Sequence, residues 1–394
     1  MGKRIRKTKK AEICLEPDGY SVHTLEISQS VSKQEWEWLK EKLYKKQRKE
    51  GAVYIYQNRE RAGQYICTQY AYAGIRVLLE KFSVGEGAER FFARMVINPR
   101  KLIYPQSGYL GILPNEEESV ELLGKAFQEV MKNSPFDSKI SHYYLSRVDL
   151  CTNVRCDNRK VFRELVRLLR KTATPKKYRR VLYEDKDTKK ANQYNKHFVR
   201  LACGQQELVL YDKTYQMTAN GLELDYAKLP DGVLRVEVHY GREKLRSIEK
   251  QEKMDDPLEL LWLLMQESKE RILGLVGKCY PELPYLSVEE GKTAVQESHY
   301  KDDTKKRMMM MLEEMRRKQT LDKAFETMEK QGVKTDDLLR KFKKLGLNPI
   351  PLRVGYAAKK MPTSRWPSRW DTAQAISRST RKADVAKNAR EKVR

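Results

Sequence analysis

Two tyrosines four residues apart, Tyr211 and Tyr215, flank Asp212 and Lys213 in the stretch ELVLYDKTYQM, residues 207–217. The pattern is a strand running into a polar turn. Two further strand-like stretches carry matching chemistry: YYLSRVDLCTN (143–153) upstream and VLRVEVHYG (233–241) downstream. Successive side chains of a strand point to opposite faces. Val148 and Leu150 therefore share one face and Arg147 and Asp149 the other. Leu208 and Leu210 oppose Tyr211 and Lys213, and Leu234, Val236 and Val238 oppose Arg235, Glu237 and His239. Any one of these strands is explained by an antiparallel sheet with a wet outer face. The three together bring a tyrosine, two carboxylates and several cations onto one face, which points to a site.

The chemistry these residue types serve is attack of a tyrosine on a phosphodiester of single-stranded DNA. A phenol, with a pKa of about 10, is a poor nucleophile at neutral pH unless helped. Lys213, two along on the same face, is placed to stabilise a phenolate. Carboxylate ligands such as Asp149 and Glu237 suit Mg²⁺ or Mn²⁺, and such an ion polarises a scissile phosphate. Arg147 and Arg235 are candidates to clamp flanking phosphates. There is no GxxxxGK[ST] loop in the sequence, so the chain is not expected to be its own helicase.

Those strands sit in a chain of 394 residues with a net charge of +25 and a pI of about 9.6. The length suits two or three domains. The charge makes a polyanion the natural partner, nucleic acid before an anionic membrane surface. Apolar runs such as 260–265 are too short to span a bilayer, and the basic start MGKRIRKTKK lacks the apolar stretch of a secretory signal. Arg6 stands where a myristoylation site needs Ser or Thr. The six cysteines form no CxxC pair or disulfide framework, so they are expected to be free thiols in a reducing compartment.

Taken in order, residues 1–18 read as a basic flexible arm and 20–28 as a strand. Residues 32–49 form a helix that Ser32 caps, with Glu35 at capping-box spacing. Strands are expected over 52–57, 64–73, 75–83 and 90–98, and a helix over 116–132. After the 143–153 strand comes an amphipathic helix, 158–171. A long basic loop, 172–196, then carries Lys176, Lys177, Arg179, Arg180, Lys189 and Lys190, a natural contact for phosphates and a source of steep salt dependence. Residues 197–203 and 207–213 read as a hairpin across Gly204, and Arg242 opens a basic helix over 242–251. The order implies an α+β domain with an antiparallel sheet over 19–252, in halves 19–135 and 136–252. An all-helical region, 253–350, follows, with helices over 258–275, 304–318, 321–331 and 335–345. Met308 to Met311 read as core packing. The last two helices, with Thr335 as cap, fit either a helix-turn-helix or an ordinary hairpin. A basic tail, 351–394, repeats Arg365–Trp366 and Arg369–Trp370, pairs suited to stacking on bases.

With RVDLCTN, LYDKTYQ and LRVEVHYGREKL in that order, the chain resembles the rolling-circle replication initiators. The likeness is greatest to the gene II/X family of filamentous phages and related plasmids, and it extends to plasmid trans-acting initiators and conjugative relaxases. ARMVINPRKLI (93–103) and LGLNPIPL (345–352) look similar to that family too, but the resemblance is firmest over about 142–246. It implies a Rep/relaxase-like nuclease fold and an enzyme that nicks one strand at an origin, stays joined to the 5′ phosphate through tyrosine, and rejoins. The family's tyrosine maps onto Tyr211, with Tyr215 as the rival nucleophile. The related histidine–hydrophobe–histidine metal pair is missing. Asp149 and Glu237 would then supply most of the coordination, with His239 a third ligand. Arg147, Arg235, Arg242, Lys176, Lys177, Arg179 and Arg180 are the expected DNA contacts. The resemblance also implies a bacterial cytoplasm and work beside a host helicase and polymerase. A non-catalytic, sequence-specific DNA-binding regulator is the alternative, and replacing Tyr211 with Phe separates the two.

Overall fold

The computed structural model describes residues 15–17, 19–51, 54–85, 87–105, 111–156, 158–220, 232–280, 283–318 and 320–353. Nearly all of the expected N-terminal arm and the Arg/Trp repeats of the tail lie outside them. Eleven strands form one sheet. In chain order they are β1 (Leu15–Pro17), β2 (Ser21–Val31), β3 (Ile55–Gln57), β4 (Gln64–Cys67), β5 (Ile75–Val84), β6 (Ala88–Ile97), β7 (Tyr144–Cys156), β8 (Arg179–Arg180), β9 (Phe198–Cys203), β10 (Gln206–Asp212) and β11 (Gly232–Gly241). Their spatial order is β3-β4-β5-β6-β2-β7-β11-β10-β9-β8, with β1 paired to β7. Every pairing is antiparallel. The β2–β7 junction joins the two halves read from the sequence into one continuous sheet.

The helices are α1 (Lys33–Glu50), α2 (Pro99–Ile103), α3 (Glu117–Met131), α4 (Arg159–Lys171), α5 (Thr188–Tyr194), α6 (Lys213–Ala219), α7 (Arg242–Glu252), α8 (Pro257–Gln266), α9 (Ser268–Cys279), α10 (Val288–Gln296), α11 (Asp302–Arg317), α12 (Leu321–Lys330) and α13 (Leu338–Lys344). Local chemistry sets several starts. Ser32 accepts from the Glu35 amide, Asn158 from those of Lys160 and Val161, and Asp256 from Leu258 and Glu259, filling amides that a helix leaves orphaned. On the apolar face of the sheet, Leu150, Leu208, Leu234, Val236 and Val238 are buried to 1% exposure or less. Helices α4, α7, α8 and α9 pack against these strands. At Gly232 a Cβ would meet the Phe162 ring at 2.2 Å, so α4 sits directly on β11 there. No helix among the described residues is long and apolar enough to cross a membrane.

The α+β class and the antiparallel sheet expected from the sequence are present. Several boundaries differ. The single helix expected over 258–275 breaks at Glu267, where Ser268 Oγ donates to the Met265 carbonyl at 2.7 Å and turns the chain. The stretch expected as a loop over 172–196 holds β8 and also α5, which Asp187 caps. Strand 64–73 ends at Cys67, and Ala71–Ala73 is a 3-10 turn. Helix α10 goes unread in the sequence, although Ser287 and Glu290 form a full capping box at its start. Thr335 does not cap α13; its hydroxyl donates to Glu329 instead, and the helix begins at Leu338. Met308 and Met311 are fully buried, as expected of core residues.

Candidate active site on the polar face of the sheet

Strands β7, β11 and β10 lie side by side, so the three stretches singled out in the sequence are neighbours. The register sets Tyr211 opposite Arg235, Val209 opposite Glu237 and Glu207 opposite His239. Across β11, Arg235 faces Asn153, Glu237 faces Cys151 and His239 faces Asp149. Alternation then puts all these side chains on the face away from α4 and α8. Tyr211 Oη donates to Glu237 Oε1 at 2.8 Å. Glu237 Oε2 lies 3.0 Å from His239 Nε2, and His239 Nδ1 lies 3.3 Å from Glu207 Oε2. Asp149 Oδ1 stands 3.8 Å from His239 Nε2.

The network continues across the sheet with alternating charge. Arg147 grips Asp149 through Nε at 2.7 Å and Nη2 at 2.8 Å, and reaches Glu26 at 3.4 Å. Glu26 pairs with Arg94 at 3.3 Å and Arg94 with Glu80 at 2.8 Å. At the other end Arg200 holds Glu207 at 2.9 and 2.7 Å. Buried charges persist only where partners offset the loss of hydration, and here each carboxylate has at least one cationic neighbour.

Burial and these partners set the protonation states. Burial works against the charge on Glu237, but the bond to His239, the adjacent His23 ring and the charges of His239 and Arg235 outweigh it, holding its pKa well below the carboxylate range. Burial opposes the charge on His239 too, yet Glu207, Glu237 and Asp149 raise its pKa to about 9. Burial lifts Asp149 to about 6 against the pull of His239 and Arg147. Burial, then Glu237, pushes the Tyr211 phenol well above its ordinary range. Burial, then Arg235, brings Lys213 down to about 8. Cys151, on the same face, is driven up to about 12 by burial and is no thiolate nucleophile at neutral pH.

Lys213 is not on the strand. Asp212 accepts from the Tyr215 amide at 2.8 Å and starts α6, so Lys213 opens that helix with Nζ 5.8 Å from the Tyr211 ring centre. It still flanks the phenol, by a different route from simple alternation. Tyr215 stands apart from the carboxylates. Its ring stacks on His197 at 3.8 Å and borders Tyr194 at 6.4 Å.

Arg235 differs most from expectation. It is fully buried and donates to Asn153 at 2.7 Å, so it braces the interior behind Tyr211 rather than clamping a phosphate outside. Arg242 donates to the Leu145 carbonyl at 3.0 Å and lies over the Tyr144 ring at 4.6 Å. Lys176, Lys177 and Arg179 are exposed. Arg180 is half-buried and donates to the Thr172 carbonyl at 2.7 Å. Arg179 and Arg180 belong to β8, the edge strand two places from β10.

Asp149, Glu237 and His239 do converge, but among the described residues no set of three such side chains is disposed to hold a metal ion. Both oxygens of Asp149 are taken by Arg147, both nitrogens of His239 by carboxylates, and Glu237 by Tyr211 and His239. The cluster as arranged is compensated by its own cations, so Mg²⁺ or Mn²⁺ does not fit it without displacing Arg147.

Sequence reading missed His23. The register of β2 against β7 shifts between Val22 and Thr24, and this bulge brings His23 Nδ1 to 3.6 Å from Glu237 Oε1. Burial, then Arg235, lowers its pKa to about 3. Nothing in YSVHTLEIS marks a bulge. Glu207 and Arg200, also missed, were readable as diagonal neighbours on one face of the 197–213 hairpin, where Glu207 stands opposite Ala202 and Arg200 opposite Val209. No protein-family model matches the chain, and no curated protein matches it in sequence.

Proposed function

We propose that the protein is a tyrosine-dependent DNA strand-nicking and rejoining enzyme, acting as a rolling-circle replication initiator. The observation that carries this reading is the Tyr211 phenol at 2.8 Å from the Glu237 carboxylate, nucleophile and base at hydrogen-bond distance, with Lys213 and Arg235 beside them. In the reaction, Tyr211 Oη attacks the phosphorus and the phenolic proton passes through Glu237 to solvent. The 3′ oxygen leaves, taking up a proton from solvent to become a hydroxyl, so the 5′ phosphate becomes a phosphotyrosine ester. Return attack by a 3′ hydroxyl reseals the strand, the ester having kept the bond energy. Lys213 offsets charge that builds on the phosphoryl oxygens. Arg235, behind the ring, keeps the site positive and positions Tyr211.

The polar face offers support for a single strand beyond the catalytic cluster. Phe82 on β5 is 48% exposed and packs edge-on against Phe92 of β6 at 5.9 Å. Both lie on the face that carries Arg94 and Glu80. Aromatic rings among arginines suit stacked bases and their phosphates.

One observation favours a second reading, a DNA-binding protein that does not cut: Tyr211 is only 6% exposed and its phenol is held neutral. Incubation of the protein with supercoiled plasmid carrying its own replicon, with and without Mn²⁺, decides. The expected result is a nick with protein joined to the 5′ end. Tyr211→Phe is expected to lose cleavage by at least about 10³-fold with DNA affinity within about twofold, while Tyr215→Phe still cuts. Glu237→Gln is expected to slow cleavage about 10²–10⁴-fold. Tight binding without a nick under any condition would establish the non-cutting reading.

A further inference from the structure

On the other side of the sheet from Tyr211, a cavity of about 450 Å³ opens between α4, the start of α10 and the end of α11. Its cations come from three separate places. Arg167, Arg170 and Lys171 line it from the last turns of α4, Arg316, Arg317 and Lys318 from the end of α11, and Arg353 from the strand-like segment that pairs with Ser287 through Leu352. Among the described residues, Glu289 is the only carboxylate in the lining. Beneath the wall, Glu164 is fully buried and bonds Arg167 at 2.8 Å and the Arg353 amide at 3.0 Å. Arg316 and Arg317 reach Glu313 at 3.1 Å and Glu314 at 4.0 Å from exposed positions, contacts worth little in water.

Cations at the end of α11 are explained in part by the helix dipole, and Lys171 donates to the Met315 carbonyl there. That does not account for Arg170, half-buried on another helix and aimed into the same space. Burial, then Arg167 and Arg353, lowers Lys171 to about 8, and burial, then Arg180, lowers Arg170. Burial is the larger cause of both shifts, and neighbouring cations add to it. The cavity lies in the range that holds small ligands, and arginine forks match phosphate oxygens in pairs.

We propose that this cavity is a second anion site that binds a phosphate-bearing ligand holding two or more phosphate groups. The same chemistry arises from a stretch of DNA backbone or from a free polyphosphate. The proposal does not rest on strand cleavage.

The test uses the full chain. Inorganic pyrophosphate is titrated in by calorimetry, and a labelled duplex without a cleavage site is titrated by anisotropy across a salt series. Wild type is expected to bind pyrophosphate, and the combined Arg316→Glu, Arg317→Glu and Lys318→Glu variant to bind it at least about tenfold more weakly. If backbone phosphates are the occupant, duplex affinity falls in the same variant and the log–log salt slope shrinks by about 2–3. If a free polyphosphate is the occupant, duplex affinity stays and only pyrophosphate binding falls. The three side chains close an exposed helix end, and Lys318→Gln alone serves as a milder variant if the triple one melts early. Tyr211→Phe is expected to leave pyrophosphate binding unchanged. Unaltered affinity for both ligands in both charge variants, or no pyrophosphate binding by wild type, would overturn the proposal.

Discussion

At the centre of β11 the two faces of the sheet are buried to nearly the same degree and are built on opposite principles. Leu234 and Val236 point into the helices and Arg235 and Glu237 to the other side, yet none of the four exceeds 6% exposure. On the apolar face, contact with α4, α8 and α9 is nondirectional, so volume matters more than identity. On the polar face each group is held by named partners, and loss of one strands another in a low-dielectric interior. Equal burial therefore implies unequal tolerance.

The adjacent pair Leu234 and Arg235 gives the sharpest way to break this comparison. Leu234→Met conserves volume and is expected to cost under about 1.5 kcal/mol. Arg235→Met is expected to cost about 3–5 kcal/mol, because Glu237 and Asn153 lose a buried cation. Denaturant midpoints at constant m-value measure both. Equal losses would show that burial rather than charge pairing sets the cost.

A smaller effect should appear with pH. His239 has a folded pKa of about 9 against an ordinary 6.5, so folding favours its protonated form. Its contribution is complete below about pH 6.5 and is lost as pH rises through 9. Glu207 runs the other way. Burial opposes its charge, but His239 and Arg200 lower its pKa to about 2, so its contribution is present above its ordinary pKa of 4.5 and is lost as pH falls through 2. Lys213 and Lys171, both lowered to about 8, contribute in the opposite sense over the same range, so the readout is the difference from wild type. Between pH 7 and 10 the melting temperature of His239→Gln is expected to rise relative to that of wild type. An unchanged slope in His239→Gln would remove the histidine from the account.

The smallest expected effect tests whether the cluster's own cations keep metal out. Arg147 is partly exposed and occupies both oxygens of Asp149. Arg147→Met removes the bidentate partner of the buried Asp149 carboxylate and is expected to raise Mn²⁺ affinity, read by calorimetry. No gain in Mn²⁺ affinity would show that His239 and Glu237 close the site by themselves.

Much of this arrangement was legible in the residues. Alternation alone separated Leu208 and Leu210 from Tyr211, and Val148 and Leu150 from Asp149, because a strand allows only two faces. Asn158 and Asp256 announced their helices through the same capping chemistry as Ser32. Helix α10 was legible as well, in the Ser287–Glu290 box, but short apolar content hid it. Lys213 was placed correctly beside Tyr211 for the wrong reason, since the strand had already turned into a helix at Asp212. The break at Glu267 was not legible, because an all-round apolar stretch gives no period that would mark it.

The sequence by itself determined which side chains share a face, where most helices start, and that the chain is strongly basic. These follow from local geometry, two residues per strand repeat and one cap per helix end. Only the tertiary structure decided that β7, β11 and β10 are adjacent and that Arg235 is an interior residue rather than a surface clamp. It also decided that a bulge delivers His23 to Glu237, and that cations from α4, α11 and residue 353 meet around one cavity. Those outcomes depend on strand order, register and packing between segments far apart in the chain, and no local pattern encodes such distances.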